Sequence, residues 1–264
     1  MSELRSSEAV LAHRRHSLYT LLPVLIILSL LAATWRGADI RPMDLFQGQD
    51  GMREFARGFF PPDYSEWRQY VHEMYITLSI ALWGTLLAIL AAIPLGLLSA
   101  QNVAPAWVVQ PVRRLMDTLR AINEMVFAML FIVAVGLGPF AGVLALWVHT
   151  SGVLAKLFAE SVEAIDPRPR EGIRATGAAQ IDEIRYAIIP QVLSLWISFA
   201  IYRFESNVRS AMVVGMVGAG GIGVMLHESI QSFNFAQSAA ILLIIVLTSS
   251  FLDICSSFLR NGIS

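Results

Sequence analysis

Six apolar runs alternate with polar intervals along this chain, at residues 18–34, 74–100, 115–135, 140–159, 191–204 and 239–258. Most approach the ~20 residues that a helix needs to cross a hydrocarbon layer ~30 Å thick. In lipid a backbone must satisfy its own hydrogen bonds, which makes the helix the natural spanning element for such runs. The pattern predicts an all-α integral membrane protein with about six transmembrane helices. It divides the chain into a polar tail at 1–17, a first span at 18–34, a mixed polar segment at 35–73, a core at 74–260 and a tail at 261–264. A basic start before the first run also fits a cleaved signal peptide, but the later spans favour a retained helix. Ala88, Ala92 and Gly96 recur every four residues in the second run. They are either a small-residue face for another helix or ordinary small residues of an apolar segment. Pro94 predicts a kink near the end of that helix.

Composition supports lipid as the solvent: 56% of residues are hydrophobic and 15% charged, with a mean hydropathy of +0.61. A globular protein carries about 25% charged residues. A net charge of −1 supplies no field for nucleic acid. Cys255 lies inside the last apolar run and reads as an inert buried thiol, with no second cysteine to pair with.

Orientation follows from the 19 lysine and arginine residues and the excess of positive charge on the cytoplasmic side. With the N-terminus inside, the cytoplasmic segments hold Arg5, Arg14, Arg15, Arg113, Arg114, Arg120, Lys156, Arg168, Arg170, Arg174, Arg185 and Arg260. The outer segments hold Arg36, Arg41, Arg53, Arg57, Arg68, Arg203 and Arg209. Both termini and the interval 167–190 are then cytoplasmic, and 35–73 is an extracytoplasmic excursion with short interfacial helices.

That interval, PRPREGIRATGAAQIDEIRYAIIP, is the longest polar stretch between apolar blocks in the second half of the chain. Pro167 and Pro169 can start a helix but cannot continue one. Ile173, Ala178, Ile181 and Ile184 recur at three- to five-residue spacing, with Arg174 and Arg185 off that stripe. A short amphipathic helix at about 168–182 is expected, exposed between two spans and suited to docking a soluble partner.

Ionisable residues at membrane depth are functional candidates by default, because a charge there costs roughly 2.5–3.5 kcal/mol at the centre on insertion scales. The polar candidates are Asn123, Glu124, Arg203, Glu205, Asn207 and Arg209. In one reading Arg203 and Arg209 line a water-filled path and favour an anion. In the other, Arg203 pairs with Glu124 or Glu205 and only holds helices together. Arg120 and Glu124, four apart, can pair on one helix face.

Gly218, Gly220, Gly221 and Gly223 satisfy GxGxxG, but no strand precedes them and no acidic residue follows at the nucleotide-binding distance. A broken helix lining a cavity is the better reading, with a plain tight loop as the alternative. The chain contains no GxxxxGK[ST] phosphate loop, no GxSxG or HExxH motif, and no His, Cys, Asp or Glu set with metal-ligand spacing. Neither enzyme chemistry nor a metal site is expected.

The central stretch resembles the EAA loop of the permease subunits of ABC importers. That pattern is E-A-A, three residues, G, nine residues, then I-x-L-P. Glu171, Gly177 and Pro190 fall in register, whereas Gly172 and Ile173 replace the alanines, Ala187 the isoleucine and Ile189 the leucine. EGIRATGA, NEMVFAMLF, GLGPFAGVLAL, YRFESNVRSA and VGMVGAGGIG resemble the phosphonate-importer permeases, which include phosphite and hypophosphite systems. VGAGGIG also resembles methionine-importer permeases.

The resemblance implies a type I (MetI-like) importer permease in a bacterial inner membrane, moving a small phosphorus oxyanion. It implies a second permease, identical or paralogous, two cytoplasmic ATPase subunits that hold ATP and Mg, and an extracytoplasmic binding protein. Glu171, Gly172, Ile173, Arg174, Ala175, Thr176, Gly177, Ala178 and Gln180 would form the ATPase-coupling helix. Gly218, Gly220 and Gly221 would join the polar candidates on the translocation path. A permease for another solute, and an autonomous channel or secondary carrier, remain the alternatives.

Overall fold

The computed structural model describes residues 22–35, 37–41, 43–44 and 49–262. The expected tail at 1–17, the start of the first span at 18–21 and the last two residues lie outside the described residues. Every regular element among the described residues is helical. The chain divides into two units, one ending at Arg57 and one beginning at Gly58. The first holds a short apolar helix, α1 (Leu22–Trp35), whose side chains are all exposed, as lipid-facing side chains are. It also holds nearly all of α2 (Gln49–Gly58).

The second unit begins its spans with α3 (Trp67–Ser99), which starts seven residues earlier than its apolar run and continues through Pro94. Then follow α4 (Ala106–Ala121), α5 (Glu124–Val135), α6 (Pro139–Glu163), α7 (Pro167–Ala175), α8 (Gln180–Glu183), α9 (Ile189–Val214), α10 (Ile222–Gln231) and α11 (Phe235–Asn261). Wider-pitched turns at Ile184–Ile188 and Gly215–Ala219 bracket α9. Among the described residues, four helical stretches are long and apolar enough to cross a membrane: Trp67–Ser99, Pro139–Glu163, Gln180–Ala219 and Phe235–Arg260.

Three expectations change. The third run is not one helix: α4 and α5 meet at 89°, so at most one of them runs along the membrane normal. Asn123 causes part of this, capping α5 with its side chain by accepting from the Met125 N–H at 2.8 Å. The polar interval between the second and third runs is largely helical, because Val109 and Met116 give α4 a buried face beneath its charges. Arg120, in the last turn of α4, pairs with Asp117 at 3.1 Å rather than with Glu124, the partner its spacing allowed. Finally, the fifth span does not stop at Phe204. Helix α9 runs on to Val214, and Arg203 and Arg209 sit inside it rather than in an outer loop.

Of the two readings that the small-residue spacing of α3 left open, the structure shows the packing face. Ala88, Ala92 and Gly96 are buried in the interface with α6, the most extensive in the fold. A Cβ at Gly96 would lie 2.8 Å from Phe158 Cβ, so only glycine permits this approach. Phe158 stacks on Trp196 of α9 at 4.4 Å between centroids. Trp196 Nε1 donates to Ser161 Oγ at 2.7 Å.

One buried polar tie joins the three central helices. Asn207 of α9 is wholly inaccessible. Its Nδ2 donates to Thr85 Oγ1 of α3 at 2.8 Å, and its Oδ1 accepts from Thr150 Oγ1 of α6 at 3.0 Å.

Candidate functional site

The polar interval at 167–190 folds as two short helices rather than one. Asp166 caps α7 by accepting from the Arg168 N–H at 3.0 Å, and Pro167 occupies the first turn. Helix α7 ends at Ala175 because Gly177 adopts φ +80°, a left-handed conformation that glycine takes freely and most residues do not. Glu171, Gly172, Ile173, Arg174 and Ala175 therefore lie on α7, Thr176, Gly177 and Ala178 in the turn, and Gln180 opens α8. The predicted apolar stripe is split by this break: Ile173 and Ala178 are half-buried, while Ile181 is exposed.

No residue of α7 is buried, yet the helix is fastened at several points. Asp166 exchanges two bonds with the side chain of Gln191 at the base of α9: its N–H donates to Oε1 at 3.2 Å, and its carbonyl accepts from Nε2 at 3.4 Å. Arg170 and Arg174 both reach Glu183, which α8 holds nearly inaccessible. Arg170 Nε donates to Oε2 at 2.7 Å. Arg174 donates from Nε to Oε1 at 2.8 Å and from Nη2 to Oε2 at 2.9 Å, and these bonds raise the Arg174 guanidinium above its ordinary value. Arg170 Nη1 also donates to the Asn102 carbonyl, and Gln180 Nε2 to the Val103 carbonyl at 2.6 Å.

The loop receiving those bonds is itself anchored to the end of α6. The Gln101 N–H donates to Glu163 Oε1 at 2.6 Å, and Arg113 pairs with the same oxygen at 2.5 Å. The exposed helix is thus bolted to the bases of α3, α6 and α9 together. Sequence reading missed Glu183 altogether. The available signal was an acidic residue, next to Asp182, thirteen and nine positions after two arginines and at the mouth of an apolar run.

The glycine segment breaks the helix between α9 and α10. Gly218, Gly220 and Gly221 have φ of +102°, +81° and +79°. The break is pinned on two sides: the Gly138 N–H donates to the Gly218 carbonyl at 3.1 Å, and the Ile222 N–H to Thr77 Oγ1 of α3 at 2.9 Å.

The intramembrane polar residues separate into distinct groups. Glu205 and Arg209 belong to a closed network with α11: Arg209 reaches Glu205 at 3.1 Å and Asp253 at 3.2 Å, and Arg260 reaches Glu205 at 3.3 Å. Glu124 accepts from Ser210 Oγ at 2.7 Å and faces His149 Nε2 at 3.6 Å. Asn207 is consumed by the buried tie, and Asn123 by capping α5. Arg203 forms no ion pair with Glu205 or Glu124, and its Nε is buried with no acceptor among the described residues.

The fold is a helical membrane bundle that presents an exposed, multiply hydrogen-bonded helix between two spans. The chain belongs to the family of binding-protein-dependent transport system inner membrane components, whose model matches residues 92–264. It is 36% identical over 232 residues to the phosphite transport system permease protein PtxC of Stutzerimonas stutzeri, covering 88% of this chain and 84% of that one. It is 56% identical over 137 residues to an Escherichia coli (strain K12) protein provisionally named a cryptic phosphonate transport system permease, PhnE1. That match covers 52% of this chain and 66% of its relative. Among solved structures, the chain shares the fold of inward-facing MetNI, a methionine ABC transporter. The TM-score is 0.68 at 19% identity, over 76% of this chain and 99% of the other.

Proposed function

We propose that this chain is the membrane-spanning permease of an ABC importer that brings a small phosphorus oxyanion, of the phosphonate, phosphite or hypophosphite kind, into the cell. The observation that carries the reading is α7, which buries nothing of its own and is nevertheless locked to three spans. An element of that kind transmits a push. The knob from Glu171 to Gln180 docks on one of two ATPase subunits, where ATP and Mg are held and hydrolysed, and a second permease completes the path. An extracytoplasmic binding protein delivers the solute. Both termini and the knob face the cytoplasm, in keeping with the gathering of Arg113, Arg168, Arg170 and Arg174 around the knob and its supporting loop. The oxyanion class is supported by the solutes for which the phosphite and phosphonate relatives are named.

Reconstitution of the assembled complex in proteoliposomes tests this. Uptake of radiolabelled methylphosphonate or phosphite is expected to need both ATP and the binding protein. Gradient-driven flux through this chain alone would instead identify a channel or carrier. ATP-driven uptake of methionine but of neither phosphorus anion would assign a different solute.

A further inference from the structure

Residues of α5, α6 and α9 converge on one intramembrane cluster: Glu124, His149, Arg203 and Ser210. Arg203 lies fourteen positions past Ile189 and eleven before Val214, or ~21 Å and ~16 Å from the two ends of α9 at ~1.5 Å per residue. It is therefore deep in the bundle. His149 Nδ1 sits 2.9 Å from the Ile122 carbonyl. A carbonyl only accepts, so Nδ1 carries a hydrogen. His149 Nε2 faces Glu124 Oε2 at 3.6 Å.

Ser210 Oγ supplies a hydrogen bond to the Glu124 carboxyl. Arg203 lies within electrostatic reach of Glu124 but makes no ion pair with it. The other charges are engaged elsewhere: Arg209, Glu205, Asp253 and Arg260 contact one another, and Arg120 is held by Asp117. Arg203 has a buried Nε with no acceptor. A guanidinium at this depth with a donor left unbonded is expensive, and its planar fork matches an oxyanion.

We infer that Arg203 is the point at which the transported anion is held inside the membrane, as a tetrahedral phosphorus oxyanion bound by its guanidinium. The inference rests on the importer reading above and goes beyond it by naming the intramembrane contact. It also separates Arg203 from Arg209, whose bonds within the chain are already made.

The test uses the full complex in proteoliposomes, with radiolabelled methylphosphonate and phosphite as probes. Assembly is followed by co-purification of the ATPase subunits. Arg203→Met is expected to assemble and to lose uptake by roughly ten- to a hundredfold, the range for a hydrogen bond to a charged group. Arg203→Lys, which keeps the charge without the fork, falls between. The deciding variant is Arg203→Met with Glu124→Gln, which balances the buried charges. If Arg203 served only to neutralise Glu124, this pair would restore uptake and overturn the inference. An anion contact predicts that uptake stays lost. Failure of both variants to assemble would assign Arg203 to holding helices, and would also overturn it. Should the unaltered complex take up neither probe, the importer reading fails first and the inference falls with it.

Discussion

Arg174 and Glu183 stand nine residues apart and meet as a fork, Nε to Oε1 at 2.8 Å and Nη2 to Oε2 at 2.9 Å. Arg170 adds a third bond to the same carboxylate. One buried acid therefore joins the exposed α7 to the helix that feeds α9. Two parallel charge-assisted bonds define direction as well as attraction, which is what a rigid transmission joint requires.

Glu183→Gln keeps the shape of the side chain but loses the charge and half of the acceptor capacity. The expected outcome is uncoupling, with ATP hydrolysis by the assembled complex persisting while solute moved per ATP falls by roughly fivefold or more, as for loss of a typical coupling energy. Measuring uptake and hydrolysis on the same vesicles checks this. An unchanged ratio would show that force passes elsewhere, with Asp166 and Gln191 the remaining link.

Gly177 faces open space, with nothing within 4 Å of where a Cβ would stand, but its φ is +80°. The obstacle to substitution is thus backbone strain rather than crowding. Gly177→Val is expected to destabilise the turn by ~1–2 kcal/mol, while Gly177→Asn, which enters the left-handed region more readily, stays close to the parent. Thermal unfolding of the purified chain reads the stability. Co-purification with the ATPase subunits reads the docking, and it should fail for Val before it fails for Asn.

Gly96 presents the opposite case. Its backbone is helical, and a Cβ there would collide with Phe158 Cβ at 2.8 Å. Gly96→Ala gains ~1 kcal/mol of helix propensity but overpacks the α3–α6 contact, for which ~1–3 kcal/mol is typical. A net fall in the unfolding midpoint in detergent is expected. Gly172→Ala, in a helix with open space around it, should raise the midpoint slightly and serves as the control.

Asn207 makes its two side-chain bonds to α3 and α6 where neither water nor lipid can replace them. Asn207→Ala is expected to cost ~0.6–1.7 kcal/mol, the range for hydrogen bonds between membrane helices. Combined with Thr150→Val the loss should be less than additive, because both changes remove one bond. Strict additivity in the unfolding data would mean that the Asn207–Thr150 bond contributes nothing.

Local pattern alone was enough for the membrane class and the helix start at Pro167, and it offered the close-packing face at Ala88, Ala92 and Gly96 and the helix break at Gly218 to Gly221 as one of two readings each. Each depends on periodicity or on the backbone limits of single residues, and these act within a few positions of chain. The right-angle turn between α4 and α5 was not legible, because an apolar run with charges in its first turns reads equally as one helix or as two. Nor could Glu183 be found, or Arg203 told from Arg209. Those distinctions depend on partners far along the chain: Glu124 meets Ser210 across 86 positions and Thr85 meets Asn207 across 122. Periodicity says which face of a helix is apolar, whereas the partner of a buried charge is chosen only when helices pack and water is excluded.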